Sequence, residues 1–355
     1  MKPVQSSVDT LEQQLGKSWT QLKTARGRAE IKREELRSAL RGIDSEDTSV
    51  VVFGSLGRDE FTDASDIDWT LLVDGGADPM HLELTREIDN KVKELASKTV
   101  GREGLFGTIA FSHELVHQIG GEDDTNRNTT RRILLLLESR VVGRNEAYDR
   151  VITQILKRYV LEDDGFVKGT GKFHVLRFLL NDFARNWWTM AVDFAYKKRR
   201  RFGQGAAIRN IKLRFSRKLI YVSGLLSCFG CHMALDELKP TGVCPGIGSA
   251  PECVECLHRR LQRTPIEILA DAFLYLPHMN ETAKKIFDAY DGFLGILSDK
   301  DSRDRLEGLG SEKYENDEVF KAARELSHEF REGLNDLFFD QQSLMCELTK
   351  NYGVF

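Results

Sequence analysis

The sequence predicts an α+β fold: a small mixed β-sheet core with flanking helices, followed by an all-helical stretch. Three observations carry that expectation. Two apolar, β-branched runs, Val50–Phe53 and Trp69–Val73, read as strands joined by a polar turn. A third apolar run, Gly104–Phe111, follows a segment of helical period. From about residue 165 onward every apolar repeat has helical spacing, with no further strand pattern.

The chain has 355 residues, enough for more than one domain, with 41% hydrophobic and 30% charged residues, the balance of a soluble globular protein. Its net charge of -4 means that any binding of phosphate or nucleic acid must come from a local patch. No apolar run has the length to span a membrane, so membrane insertion is not expected. The opening residues show no apolar signal core, and six cysteines in so long a chain fit a reducing cytoplasm better than a disulfide scaffold.

In order, residues 8–42 read as one long helix, with Leu11, Leu15, Trp19 and Leu22 on one face, packing on the back of the sheet. Met80–Thr99 reads as a crossover helix carrying Leu84, Ile88, Val92 and Leu95. Asp124 or Thr125 caps a helix running to about Val142, and another spans Glu146–Leu161. Helices are then expected at Phe173–Arg201, Ala206–Phe229, Pro265–Leu276, Asn280–Leu297 and from Asn316 to about Thr349. The stripe Leu176, Leu180, Phe183, Trp187, Met190 and Phe194 reads as core. The expected domains are residues 1–43 (a helix on the core), 44–164 (the sheet domain) and 165–355 (the helical domain).

The chemistry concentrates between Val50 and Asp74. Gly54-Ser55 ends the first strand, and Asp66-Ile67-Asp68 enters the second. Carboxylates two residues apart on a strand share a face and repel, a cost that a divalent cation removes, with Mg²⁺ the usual hard-oxygen choice and Mn²⁺ a substitute. Gly54 allows close backbone approach, Ser55 and nearby N–H groups can hold phosphate oxygens, and Arg58 can reach a phosphate as a fork-shaped donor or remain a solvated loop residue. This strand, Gly-Ser, loop, Asp-x-Asp order resembles the signature of the polymerase-β-like nucleotidyltransferase superfamily. The form Gly-Ser-Leu-Gly-Arg-Asp-Glu with Ser-Asp-Ile-Asp looks closest to its PII-uridylyltransferase-like branch.

The resemblance implies a nucleotidyltransferase core that moves an NMP from an NTP substrate to a hydroxyl, with Asp66 and Asp68 as catalytic metal ligands. It also implies a third carboxylate on the third strand, and none lies between Leu105 and Phe111. Glu103, Glu114, Asp123 and Asp124 are the nearby candidates, and Glu114 is the expected catalytic one. It further implies a helical domain forming the other wall of the nucleotide cleft. Ten cations between Lys197 and Lys218 suit that role or a solvated basic face, with Arg209 and Lys212 the candidate nucleotide contacts. The acceptor is a nucleotide or oligonucleotide, as in second-messenger synthases, template-independent polymerases and antiviral defence enzymes, or a protein. A non-catalytic NTP sensor is the alternative from another class. Oligomeric state is not legible.

Two further patterns compete for attention. His113-Glu114-Leu115-Val116-His117 matches the H-E-x-x-H helix of zinc proteases, or forms a short helix at the cleft mouth. Cys228-x2-Cys231 and Cys253-x2-Cys256 approach a four-thiolate zinc spacing, the alternative being small buried hydrophobes.

Overall fold

The computed structural model describes residues 6–96, 105–167, 175–200, 203–237, 250–310, 314–340 and 343–353. It is a mixed α+β chain with one four-stranded sheet. It divides into two compact units, each built from separated stretches of sequence. The sheet unit comprises Ala25–Asp182 and Cys231–Thr264; the helical unit comprises Met1–Thr24, Phe183–Gly230 and Pro265–Phe355. This division differs from the sequential three-part expectation, because the first helix and the last ones belong to the same unit. Among the described residues no helix is long and apolar enough to cross a membrane.

In the sheet unit, β1 (Thr48–Phe53) pairs antiparallel with β2 (Asp68–Val73), and β2 pairs parallel with β3 (Thr108–Phe111). A two-residue edge strand, β4 (Arg140–Val141), completes the order β3-β2-β1-β4. Strand alternation sorts the side chains. Val50, Val52, Trp69, Leu71 and Val73 enter one core with α2 (Thr20–Ala39) and α4 (Met80–Leu95), which contribute Ala29, Leu36, Ile88 and Val92. Val51, Phe53, Thr70, Leu72 and Ala110 face the other way, toward Leu134 and Leu135 of α6 (Asn126–Leu137). A four-residue helix, α3 (Gly54–Gly57), and a five-residue one, α5 (Ser112–Val116), follow β1 and β3. The unit also holds α7 (Glu146–Leu161) and α8 (Asp164–Val167).

The long N-terminal helix is two helices. Ser6 caps α1 (Ser7–Leu15), and Gly16 ends it in the left-handed conformation at φ 61°. Trp19 then stacks on Phe287 at 4.6 Å and donates from its indole N–H to Asp288 at 2.8 Å. Ala206–Phe229 is likewise interrupted. After α9 (Arg177–Arg200), α10 (Ala206–Lys212) runs into a π-helical turn at Leu213–Arg217 and then α11 (Lys218–Glu237). Next come α12 (Ala250–Leu261), α13 (Pro265–Tyr275), α14 (Asn280–Ser298), α15 (Lys300–Gly308), α16 (Glu318–Phe339) and α17 (Leu344–Leu348). Phe215, in the π-helical turn, stacks on Phe293 at 4.4 Å and anchors the aromatic core of the helical unit.

Arg132 centres a closed, buried charge network in the sheet unit. Arg132 on α6 donates to both oxygens of Asp124 (3.2 and 2.9 Å), to Asp182 (2.9 Å) and to the Tyr159 hydroxyl (2.7 Å). Tyr159 in turn donates to Asp182. Although burial opposes its charge, these partners hold the guanidinium above its usual range. Removing one member strands the others without water. Arg132→Met is therefore expected to destabilise the protein by roughly 3–5 kcal/mol, read as a lower urea midpoint at unchanged slope.

Candidate nucleotidyltransferase site

β1 ends at Phe53, whose Cα partner across the ladder is Asp68, the first residue of β2. The chain then turns sharply at Gly54, with φ +66°. A Cβ at Gly54 would lie 2.8 Å from Asp68 Oδ2, so the glycine is required twice: by its backbone conformation and by the carboxylate against it. Ser55, the next residue, is half-buried.

The turn is clamped from below. A Cβ at Gly57 would meet the Glu138 carbonyl oxygen at 1.9 Å, so backbone packs directly on backbone here. Arg58 is buried between Glu60, which accepts from it at 3.0 and 2.9 Å, and Glu138. This corrects the expectation that Arg58 reaches a phosphate: its fork is already filled by two buried carboxylates. Arg33 on α2, unnoticed in the sequence, donates to the Leu56 carbonyl at 2.7 Å and to Asp59 at 2.6 Å. Asp59 itself takes a positive φ of 63°. Thr62 and Ser65 then close the loop through a hydroxyl contact of 3.0 Å and two bonds involving backbone N–H groups.

Asp66 lies just before β2, and the strand's alternation extends through it. Ile67 and Trp69 are buried in the core shared with α2 and α4, whereas Asp66 is exposed and Asp68 half-buried. The two carboxylates thus lie on the side away from that core, with Asp68 seated on Gly54. Two hard-oxygen donors beside a bare glycine suit Mg²⁺, which keeps several waters and takes substrate oxygens. Among the described residues no group of three or more His, Cys, Asp or Glu is placed to hold a metal ion.

Glu114 does not join this pair. It follows β3 on α5, and Phe111 aligns with Val73, at the opposite end of β2 from Asp68. Five strand residues separate the two ends, about 16 Å along the sheet. Its carboxylate lies 3.8 Å from Arg131 instead. Asp124 is committed to Arg132, Asp123 lines a separate open cleft of about 500 Å³ with Arg127 and Arg131, and Glu103 lies outside the described residues. On β3 the positions sharing the Asp68 face are Thr108 and Ala110, and the Thr108 hydroxyl accepts from Arg131 at 2.9 Å. Burial, and then the nearby Arg127, pushes the Arg131 guanidinium down to about 10, with Glu114 offsetting part of the shift.

Arg209 and Lys212 lie on α10, in the helical unit, where Arg209 donates to the Gln204 carbonyl. The H-E-x-x-H residues form the single turn of α5. Both histidines are exposed, their rings 5.2 Å apart, with no third ligand among the described residues, so the zinc-protease helix is not built. The four-thiolate zinc site is not formed either. Cys228, Cys231 and Cys253 are buried free thiols, while Cys256 is held in a disulfide and has no thiolate to offer. A hydrogen bond with Cys253 pulls the Cys231 thiol below its ordinary value against the effect of burial.

Residues 33–101 match a family model described as a nucleotidyltransferase domain. The match begins at Arg33 and covers β1, the glycine turn, both aspartates and α4. Over this stretch the match is consistent with a nucleotidyltransferase of the polymerase-β-like type, and it does not single out the uridylyltransferase-like branch. No curated protein matches the chain.

The contact between Gly54 and Asp68 is open to direct measurement. Gly54→Ala is expected to lower unfolding stability by about 1–2 kcal/mol from left-handed strain, plus the displacement of the Asp68 carboxylate. Asp68→Ala in the same chain removes the second component. The double variant should therefore be less destabilised than the sum of the two single changes in denaturant titrations.

Proposed function

We propose that the sheet unit transfers an NMP from an NTP to a hydroxyl acceptor, with release of pyrophosphate. The seating of Asp68 on Gly54, with Asp66 on the same side, is the observation that carries this reading. Asp66 and Asp68 would hold Mg²⁺ or Mn²⁺, which when bound neutralises triphosphate charge and acidifies the attacking hydroxyl. Ser55 and the bare backbone at Gly54 receive the phosphates, because no Cβ stands between them and the carboxylates. Arg33 and Arg58 act through the turn: they hold its backbone in place and leave the phosphates to other donors. No carboxylate stands on β3 among the described residues to accept the hydroxyl proton. The reading therefore calls for slow turnover, about 1 s⁻¹ or below, the lower end of the usual enzyme range.

The acceptor we favour is a nucleotide or oligonucleotide, in a signalling or antiviral-defence setting within the cytoplasm. The ten cations between Lys197 and Lys218 support it, since a phosphate-rich acceptor needs such a patch in a chain of net charge -4. A second reading, an NTP sensor without turnover, is favoured by one observation: Arg131 bonds Thr108 on the face where a third carboxylate would stand.

NTPs labelled at the α-phosphate, with Mg²⁺ or Mn²⁺, decide between these readings. The enzyme reading expects a product that the Asp66→Ala/Asp68→Ala variant makes at least about 100-fold more slowly, equivalent to about 2.7 kcal/mol of barrier. Label in a nucleotide or strand identifies that acceptor, and label on a protein band replaces it with a protein. Tight NTP binding with no pyrophosphate release establishes the sensor instead.

A further inference from the structure

The helical unit contains a group of cations that make no ion pair with a carboxylate among the described residues. Lys218 opens α11 directly after the π-helical turn and is half-buried. Its ammonium has no hydrogen-bond or ion-pair partner among the described residues. The charges that act on it are Arg331 and Arg214, both of its own sign. Burial first, and then those two guanidinium groups, lowers its pKa to about 8. Arg214 bonds only neutral atoms, Asn210 Oδ1 at 2.6 Å and the Ser327 hydroxyl at 3.5 Å. Arg217 reaches the Met190 sulfur at 3.8 Å, and Arg331 meets a His328 ring nitrogen at 3.3 Å. The charged groups acting on Arg214 are Arg324 and Arg331, opposed by Glu315 and Tyr314. None of Arg214, Arg217, Lys218 and Arg331 makes an ion pair with a carboxylate among the described residues.

The neighbouring α9 turns a packed face toward these cations and an exposed face away from them. The Arg217–Met190 contact and the stack of Trp187 on Tyr221, 5.8 Å between ring centres, hold α9 against α11. On its outer side Trp188, Val192 and Tyr196 are 67%, 68% and 51% exposed. Their spacing of four residues aligns them in one stripe, with Trp188 and Tyr196 about 12 Å apart along the axis. The helix ends in Lys197, Lys198, Arg199 and Arg200. Lys198 lies 5.5 Å from the ring centre of Tyr314, which also acts on Arg214, so the basic end of α9 and the cation cluster are continuous.

We propose that this face of the helical unit binds single-stranded nucleic acid. Lys218, Arg214, Arg217 and Arg331 receive the phosphates, and Trp188 and Tyr196 stack the bases. Charge complementarity selects the occupant. A chain of phosphates supplies anions at several positions at once, and exposed aromatic rings on the helix that ends in Lys197, Lys198, Arg199 and Arg200 are the kind of stacking platform that such strands use. The π-helical turn directly before Lys218 is the kind of local irregularity that recurs at binding sites. Assigning the bound strand as the acceptor rests on the nucleotidyl-transfer reading; binding itself is tested without turnover.

Anisotropy of labelled oligouridylate and oligothymidylate with the full chain is the test, repeated between about 50 and 200 mM KCl. Wild type is expected to bind, with a log–log salt slope near -3, the value for roughly four phosphate contacts on a single strand. Lys218→Met/Arg331→Gln should weaken binding at least tenfold and flatten the slope by about 1.4, two contacts' worth. Trp188→Ala, at an exposed position, should weaken binding roughly 5- to 100-fold through lost stacking. Lys218→Met should fold at least as stably as wild type, because it removes a desolvated charge. Asp66→Ala/Asp68→Ala should bind like wild type, which separates failure of binding from failure of the transfer reading. The proposal is overturned if wild type shows no strand binding, or if the cation variant binds equally well. It is also overturned if Trp188→Ala changes the sedimenting mass but not the anisotropy, which would mark α9 as a contact between copies.

Discussion

The antiparallel register that sets Phe53 opposite Asp68 is the constraint on which the site depends. A slip of one residue would send Asp68 into the helix-packed core and Trp69 out of it, since strand side chains alternate faces. Burial of Ile67 and Trp69 among Val50, Val52, Leu71 and the residues of α2 and α4 holds that register with apolar area alone. Once the register is fixed, Asp68 meets the backbone at residue 54, and only glycine leaves room for it. The chemistry of the carboxylates is thus inherited from packing on the opposite face of the same strand.

The turn between the strands needs separate restraint, because it is polar and carries two residues at positive φ, Gly54 and Asp59. Arg33 and Arg58 supply it from opposite directions, one from α2 and one from within the loop. Buried ion pairs of this kind return little net stability after desolvation, but they favour one arrangement of partners. Their presence beneath the turn is consistent with positioning rather than with strengthening the fold.

Strand runs, Gly54-Ser55 and Asp66-x-Asp68 were legible because each is local: a period of two, a glycine before a polar loop, acids at alternate positions. The clamps were not, because Arg33 and Glu138 lie far from the turn in sequence, and Arg58 looks the same on paper whether it faces solvent or two carboxylates. Glu114 misled for a similar reason. Proximity in sequence to β3 says nothing about which end of the strand it follows, and the parallel pairing places it at the far end from Asp68. The cysteine spacing counted sulfurs without their bonding, which removes Cys256 from any thiolate set. The single long N-terminal helix failed at Gly16, a left-handed cap that periodicity alone does not register. On α9 the apolar stripe identified as core is buried at Leu180 and Phe183, while a second stripe through Trp188 and Tyr196 went unread because it breaks no rule of helical pattern.

Two buried cations of the sheet unit and one of the helical unit are compensated differently. In the sheet unit, Arg132 and Arg58 are buried and surrounded by carboxylates, so these two desolvated cations each have an anion in contact. In the helical unit, Lys218 is desolvated against Arg214 and Arg331, an arrangement that opposes folding at every pH at which the lysine is charged. Apolar side chains of similar volume would fill the same space at no electrostatic cost, so packing gives no reason for a cation there. A locally unfavourable choice that the rest of the fold sustains is the mark of a site shaped by something it meets after folding. An anion that arrives with its own chain of charges turns the repulsion between Lys218 and its two neighbouring guanidinium groups into affinity.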